Sequence, residues 1–371
     1  MLYELSRIFA ELPGAGLFAY ISFRALGAAM FAFLLAMVLG KRMISWLQGR
    51  GIGEGIDSGS DTLDQLHHDK RDTPTMGGVF VVGAILVSCA LWMRFDGANR
   101  FSWLGIALIA YFGVVGLVDD WIKLRVPGKR GLSKSGKQLA LTGGALVVAA
   151  LLLHPLGLEQ AQGGPHLYVP FFKDVAIDLT WAAGLPFFVV AVVVVTGAAN
   201  AVNLTDGLDG LAVGCVGIAS AAYAGITYFV GHGELSQYLL VQHVPGCGEM
   251  TVLLGALLGA SLGFLWYNSA PAQVFMGDVG SLALGGALGY VALVSRTELV
   301  LFVVGGVFVA EAVSVIVQVL SFRTTGRRVF RCAPLHHHFQ FGGVPETRLV
   351  VRIWIVAVLL ALSSLALFKV R

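Results

Sequence analysis

Long apolar stretches alternate with short polar loops along the whole chain. The stretches lack the period-two alternation of a membrane β-strand, and they are long enough to cross about 30 Å of hydrocarbon as helices. The pattern therefore predicts an all-α polytopic membrane protein that forms a single domain over residues 1–371. The ten predicted spans lie near 19–40, 76–94, 102–118, 138–153, 184–199, 211–230, 250–267, 282–297, 299–320 and 351–368.

The composition supports a membrane protein. The chain has 371 residues, of which 57% are hydrophobic and 13% are charged. About a quarter of the residues in soluble domains are charged, so an ordinary soluble protein is excluded. The first apolar stretch continues into Lys41 and Arg42 without a small-residue cleavage site, so no cleavable signal peptide is expected. The four cysteines show no CxxC spacing, which indicates neither a disulfide framework nor a zinc site.

Lysine and arginine are concentrated in alternate loops. Basic residues cluster within 41–71, 123–137 and 323–352, while the loops between them carry few. The positive-inside rule predicts that the basic loops are cytoplasmic and that both termini are periplasmic. The eighth and ninth spans have almost no connecting sequence, which predicts a tight external turn. The net charge of only +3 conceals this asymmetry. A basic cytoplasmic face also suits anionic lipid and phosphorylated substrates.

Aspartates stand where apolar stretches meet the predicted cytoplasmic loops. An ionisable group close to hydrocarbon costs free energy, so such a group indicates a functional site. Carboxylates gathered on one face of a membrane suggest a divalent metal, and a metal there suggests phosphate chemistry. The candidates are Asp119, Asp120, Asp206, Asp209 and Asp278.

Asp119 and Asp120 are adjacent, and adjacent helical residues point about 100° apart, so we expect that they cannot both face one ion squarely. Lys123 follows by four and three residues and could neutralise either carboxylate. The alternative is an acidic helix end held by its own lysine. Because the helix dipole disfavours acids at that end, a functional role is favoured.

Two further loops carry polar residues in patterns that suggest a site. Polar residues recur every three positions from Asn200 to Asp209, and we predict that Gly207 and Gly210 break the helix there. Asp278 lies between glycines at the start of the next helix, where backbone N–H groups suit an anion. Asp278 could equally be an ordinary N-cap, and the nearby Phe275 an ordinary buried side chain.

The last basic loop contains three consecutive histidines, His336, His337 and His338. Consecutive residues rarely chelate one ion, so phosphate contacts beside the arginines are favoured over a zinc site. The alternative is that the basic residues of this loop only set the orientation of the chain in the membrane. Glu311 is the one acid deep within a predicted span, either as a buried interhelical hydrogen-bonding group or as part of the site.

Five segments, taken in order, resemble the phospho-N-acetylmuramoyl-pentapeptide transferase family, and the resemblance covers essentially the whole chain. These segments are Thr73–Gly78, Asp119–Asp120, Asn200–Gly210, Phe275–Asp278 and Pro334–His338. The sequence departs from the family pattern at Gln340, where an acid is expected, and at Val344, where a tryptophan is expected.

The resemblance implies a ten-helix, homodimeric enzyme of the bacterial cytoplasmic membrane that requires Mg²⁺ and has no nucleic-acid partner. It would transfer phospho-N-acetylmuramoyl-pentapeptide from UDP-N-acetylmuramoyl-pentapeptide to undecaprenyl phosphate and release UMP. It implies catalytic roles for Asp119, Asp120 and Asp278, with Asp278 similar to the metal ligand and Phe275 similar to the uracil-stacking residue. The substrate-binding residues that it implies are Lys70, Thr75, Lys123, Lys137, Asn203, Asp206, Asp209, Asn268, Phe275, His336, His337 and His338.

Several alternatives stay open at the level of sequence. The lipid phosphate could attack directly, Asp119 or Asp120 could form an aspartyl-phosphate intermediate, or Asp119 could act as a general base. A related transferase that moves an N-acetylglucosamine-1-phosphate group would share the aspartates. An ion-coupled transporter would place its carboxylates near mid-membrane, where only Glu311 is predicted to lie.

Overall fold

The computed structural model describes residues 1–8, 14–50, 73–95, 100–126, 131–153, 164–169 and 176–369. Lys70 lies outside these ranges. The described helices are α1 Leu2–Ile8, α2 Ile21–Gly49, α3 Gly78–Trp92, α4 Arg100–Arg125, α5 Lys134–Leu153, α6 Trp181–Thr205, α7 Leu211–Gly231, α8 Gly233–Tyr238, α9 Gly248–Asn268, α10 Gly277–Val294, α11 Glu298–Val304, α12 Gly306–Thr325, α13 Leu335–Gln340 and α14 Glu346–Lys369. A 3₁₀ helix covers Ala15–Ala19, and strands β1 (His166–Tyr168) and β2 (Ala176–Asp178) form an antiparallel hairpin.

The predicted polytopic helical fold is confirmed. Within the described ranges, nine helices are long and apolar enough to cross a membrane, namely α2, α4, α5, α6, α7, α9, α10, α12 and α14. The shorter apolar helix α3 occupies the second predicted span. The β1–β2 hairpin is a small addition that the hydrophobic pattern did not predict, because strands of three residues are too short to show a periodicity.

Several predicted spans differ in their bounds from the helices in the structure, and two of them lie close to the site or to its loops. The predicted span 299–320 is broken at Gly305 into the short α11 and the longer α12, and a pair of glycines, Gly305 and Gly306, forms the junction. Glycine lacks the side-chain constraint that keeps a helix continuous, so a break at this pair has a local cause. The predicted span 184–199 is extended, because α6 continues to Thr205.

Helix α10 is the centre of the bundle. It is almost entirely buried, and it packs against α4 and α6. Glycines allow this close packing: a Cβ on Gly285 would lie 2.5 Å from the Ala198 carbonyl oxygen, and one on Gly289 would lie 2.8 Å from Val195 Cα. Apolar side chains on α2, α6, α12 and α14 are exposed, as expected for surfaces that face lipid. The central helix therefore holds its first turn, with Asp278, in a fixed position inside the protein.

Candidate active site

Three aspartates from two helices meet at one end of the bundle. Asp119 and Asp120 lie in the last two turns of α4, and Asp278 is the second residue of α10. One carboxylate oxygen from each residue lies within 4.8 Å of the others, and all three residues are buried. The packing of α4 against α10 thus gathers acids that are more than 150 residues apart in sequence.

Asp119 and Asp120 both approach Asp278, although adjacent helical residues point about 100° apart. The first turn of α10 packs directly on α4 at Gly116, where a Cβ would lie 2.3 Å from the Asp278 carbonyl oxygen. Asp120 Oδ2 accepts a hydrogen bond of 3.2 Å from the Val279 amide. Asp119 Oδ1 accepts one of 2.9 Å from the Leu132 amide. Both carboxylates are thus held beside Asp278.

Two lysines lie among the three carboxylates. Lys123 Nζ is 2.9 Å from Asp119 Oδ2, 3.2 Å from Asp120 Oδ1 and 3.1 Å from Asp278 Oδ2. Lys137 Nζ is 3.2 Å from Asp119 Oδ1 and 2.5 Å from Asp278 Oδ2. Three negative charges and two positive charges leave the cluster with a formal charge of −1. Such a cluster attracts a cation, and together with a divalent ion it would attract an anionic substrate.

Asn203 connects this cluster to the end of α6. Its side-chain amide donates to Asp278 Oδ1 at 2.6 Å and to Ser281 Oγ at 2.8 Å. The helix ends two residues later at Thr205, and Gly210 adopts a left-handed φ of 77° before α7 begins. The predicted break at 206–210 is confirmed. Six predicted site residues thus come together, namely Asp119, Asp120, Lys123, Lys137, Asn203 and Asp278.

Two glycines allow the backbone to approach the carboxylates. Gly131 has a φ of 97° and Gly277 a φ of 72°, conformations that L side chains rarely adopt. A Cβ on Gly131 would lie 2.7 Å from Asp119 Oδ2, and one on Gly277 would lie 2.6 Å from Asp120 Oδ2. A side chain at either position would displace a carboxylate of the cluster.

Asp209 and Asn268 make a second set of contacts, which hold loops together. Asp209 Oδ2 accepts from the Ala272 amide at 3.0 Å, and its own amide donates to Glu346 Oε1 at 2.9 Å. Asn268 accepts from the Gly210 amide at 3.0 Å and donates to the Val274 carbonyl at 2.9 Å. The loop before α10 is therefore fixed to the turn between α6 and α7. The contact of Glu346 with this turn was not predicted from the sequence.

The three histidines point to different partners. His336 is buried, and its amide donates to Glu311 Oε2 at 3.2 Å. His337 Nδ1 lies 2.8 Å from Gln340 Oε1, and His338 Nδ1 accepts from the Arg331 amide at 3.2 Å. The residue that departs from the family pattern, Gln340, is thus a hydrogen-bond partner of His337.

Comparisons with known proteins are consistent with one family. The model for glycosyl transferase family 4 matches residues 102–296, and signature 1 of phospho-N-acetylmuramoyl-pentapeptide transferases matches residues 70–82. Proteins named phospho-N-acetylmuramoyl-pentapeptide-transferase from Maridesulfovibrio salexigens and Rhodopseudomonas palustris are 46% and 44% identical to this chain, and each alignment covers 100% of both sequences. A third, from Oleidesulfovibrio alaskensis, is 44% identical over 100% of this chain and 99% of its own length.

The chain belongs to the phospho-N-acetylmuramoyl-pentapeptide-transferase family. It is therefore an enzyme, a phosphotransferase, and it is built into a membrane by its apolar helices. All three aspartates of the buried cluster lie within the segment that the glycosyl transferase model matches, with Asp119 near its start and Asp278 near its end.

The signature segment of the phospho-N-acetylmuramoyl-pentapeptide-transferase family packs against the loop that carries Phe275. The Phe275 amide donates to the Pro74 carbonyl, and the Gly77 amide donates to the Phe275 carbonyl, both at 2.8 Å. Thr75 is buried beside Gly277, while Phe275 itself is half-buried. Asp206 is half-buried at the end of α6. The structure thus places Thr75 and Phe275 together at the start of α10.

The carboxylate cluster has the donor atoms of a metal-ion site. One carboxylate oxygen from each of the three aspartates lies within 4.8 Å of the others, and carboxylate oxygens are the ligands that hard divalent cations prefer. Asp119 Oδ2 is buried and makes no hydrogen bond to a described residue, since Lys123 Nζ, although 2.9 Å away, lies outside hydrogen-bonding geometry. The Asp278 side chain is 10% exposed, against 1% for Asp119 and 4% for Asp120, so Asp278 is the carboxylate most open to a ligand.

Proposed function

We propose that this protein transfers phospho-N-acetylmuramoyl-pentapeptide from UDP-N-acetylmuramoyl-pentapeptide to undecaprenyl phosphate, with release of UMP, and that it requires Mg²⁺. The observation that carries the proposal is the cluster of three buried aspartates around Lys123 and Lys137. We further propose that the enzyme is a homodimer of the bacterial inner membrane, with both termini in the periplasm and the site facing the cytoplasm. The basic loops support this orientation.

The reaction forms one bond and breaks another. An oxygen of the lipid phosphate bonds to the phosphorus that carries the sugar, and the bond from that phosphorus to the UMP oxygen breaks. Mg²⁺, held by Asp278 with Asp119 and Asp120 beside it, would supply charge stabilisation for the diphosphate and the departing UMP. Lys123 and Lys137 offset negative charge on the phosphates. Asn203 orients the Asp278 carboxylate, because it donates to one of its oxygens.

The surroundings of Asp119 favour direct attack by the lipid phosphate. The Asp119 side chain is 1% exposed, and Leu132 covers it through a hydrogen bond. An aspartyl-phosphate intermediate would require this segment to move away from the carboxylate. A general base would also add little, because a phosphate monoester has a second pKa of about 6 and is mostly dianionic at neutral pH. Asp119 is therefore assigned to position Lys123 and Lys137.

The proposed function is tested by following UMP release. Purified enzyme is given undecaprenyl phosphate and UDP-N-acetylmuramoyl-pentapeptide, with Mg²⁺ or with EDTA. We expect UMP only when both substrates and Mg²⁺ are present, and we expect Asp278→Asn to lose at least about 100-fold in rate because it weakens the charged cluster.

UDP-N-acetylglucosamine serves as the control substrate in the same assay. A faster reaction with this nucleotide would show that the enzyme belongs to a different substrate class within the phosphotransferases. Full activity in EDTA would refute the Mg²⁺ requirement.

A further inference from the structure

Polar side chains on α12 form hydrogen bonds with the loop that follows the helix, and these bonds hold the loop against the helix. Gln318 Oε1 accepts from the amides of Val329 and Phe330 at 3.0 and 2.9 Å. Ser321 Oγ donates to the Arg327 carbonyl at 2.9 Å. Because Ser321 and Gln318 are one turn apart, the loop runs antiparallel to α12 from its first contact onward.

This path ends at Glu311, two turns before Gln318. Glu311 Oε2 accepts from the His336 amide at 3.2 Å and lies 3.1 Å from His336 Nδ1, the latter outside hydrogen-bonding geometry. Both residues are almost completely buried, at 3% and 1% exposure. The carboxylate therefore contacts both the main chain and the ring of one residue, at the start of α13.

The opposite side of the His336 ring faces the turn between α6 and α7. A Cβ on Gly207 would lie 2.4 Å from His336 Nε2, so only glycine leaves room for the ring. Nε2 is buried and makes no hydrogen bond with any described residue. Gly207 directly follows Asp206, which is one of the predicted substrate-binding residues. The ring is thus held between Glu311 and the Asp206–Gly207 turn.

We propose that Glu311 is a positioning residue that acts through His336, and this proposal rests on the proposed function. Glu311 fixes the start of α13, so that His337 and His338 are presented on one side while the His336 ring supports the Asp206–Gly207 turn on the other. The ligand of this assembly is the phosphorylated nucleotide end of the substrate, since imidazole groups and nearby arginines suit phosphate.

The hydrogen bond from the His336 amide does not by itself explain why a carboxylate occupies position 311. A glutamine could accept the same hydrogen bond from the His336 amide without the cost of a buried charge. The Glu311 carboxylate also lies 3.1 Å from His336 Nδ1, so a charge there acts on the ring as well as on the main chain. The charge of Glu311 is therefore the property that the variants must change.

The test is a double-mutant cycle between Glu311→Gln and His336→Asn. We expect Glu311→Gln to raise KM for UDP-N-acetylmuramoyl-pentapeptide about 10-fold, with a smaller change in kcat, because the binding segment is misplaced while the carboxylate cluster is intact. In the His336→Asn background, Glu311→Gln should have no further effect on kcat/KM, because its only route of action is already removed.

Two further variants distinguish positioning from stability. Ser314→Ala removes a buried hydroxyl one turn from Glu311, whose hydrogen bond goes to the Glu311 carbonyl, and it should leave KM unchanged. Gly207→Ala displaces the ring from the opposite side and should raise KM as Glu311→Gln does, with Glu311 intact. The unfolding temperature of every variant is measured beside its kinetics.

The proposal is overturned if Glu311→Gln keeps the wild-type KM, or if its effect multiplies with that of His336→Asn. It is also overturned if KM rises only in proportion to the loss of stability. Failure of the proposed function has a different signature, since the wild-type enzyme itself would then release no UMP from these substrates.

Discussion

The Asp119 carboxylate is held by several neighbours in the site. It contacts two lysines and one backbone amide, and a glycine with a left-handed backbone faces it. These contacts explain how an acid can be buried at the edge of a membrane span: its charge is offset by Lys123 and Lys137. Under the proposed function, we assign Asp119 to hold those lysines in place.

Replacing Asp119 by Asn tests this assignment. The amide keeps an oxygen for the Leu132 amide but carries no charge for the lysines, so we expect single-turnover rates to fall about 100-fold. A misplaced lysine is not restored by hydroxide, so the deficit should persist from pH 6 to pH 9. Full recovery at high pH would instead identify Asp119 as a general base.

Individual residues differ in how well their partners could be predicted from the sequence. Asp119, Asp120 and Asp278 were recognisable because acids beside apolar stretches are costly. Glu346 was missed, because an acid in the first turn of a helix is ordinary and its bond to the Asp209 amide depends on the packing of α14 against α7. Glu311 was recognised as unusual, but its partner His336 lies 25 residues away and depends on the path of the loop.

At the scale of single elements, small residues decide how closely the helices approach. Helices α2 and α9 cross where a Cβ on Gly259 would lie 1.9 Å from the Ala29 carbonyl oxygen, and one on Gly255 would lie 2.4 Å from that of Ala25. Membrane helices gain stability from this kind of close backbone packing, since apolar side chains find lipid as favourable as one another.

Gly259→Ala should therefore force α2 and α9 apart. We expect a loss of about 1–3 kcal/mol in unfolding free energy, the usual cost of overpacking a core. The matched control is Gly143→Ala in α5, where a Cβ would meet nothing within 4 Å. Alanine has a better helix propensity than glycine, so the control should be neutral or gain up to about 1 kcal/mol. Equal unfolding curves for the two variants in detergent would contradict this account.

The boundaries of the elements were predicted less well than their existence. The apolar stretches indicated ten spans; nine of these overlap a described helix long enough to cross a membrane, and the second contains the shorter α3. The length and polarity of a span can be judged from a short stretch of sequence. The break at Gly305 and the return of the loop along α12 were not predicted. The first has a local cause in the Gly305–Gly306 pair, and the second depends on hydrogen bonds from Gln318 and Ser321 to the loop; hydropathy records neither.

At the scale of the whole molecule, a buried ion pair lies at the end of α9 opposite the site. Arg24 donates to both carboxylate oxygens of Glu249 at 2.7 and 2.6 Å, and both residues are buried. Glu249 is in the first turn of α9, whereas Asn268 at the last turn contacts the site loops. The pair therefore fixes α2 to α9 at the end of α9 that lies away from the carboxylate cluster.

Removing one member of this pair should destabilise the fold but not the active site. We expect Arg24→Ala to lower the unfolding free energy by about 3–5 kcal/mol, because it leaves the Glu249 carboxylate buried without its partner. Below its unfolding temperature the variant should keep the wild-type kcat and KM. A changed KM in fully folded variant protein would mean that the two ends of α9 are coupled.

The same ion pair has a consequence for the insertion of the nascent chain into the membrane. Arg24 is synthesised 225 residues before Glu249. At a translation rate of about 5–20 residues per second, the Arg24 guanidinium is therefore without its carboxylate partner for roughly 10–45 s. During that interval α2 has already left the ribosome with a charge that hydrocarbon disfavours. Helix α2 must therefore be kept in contact with water, lipid phosphate or the insertion machinery until α9 arrives.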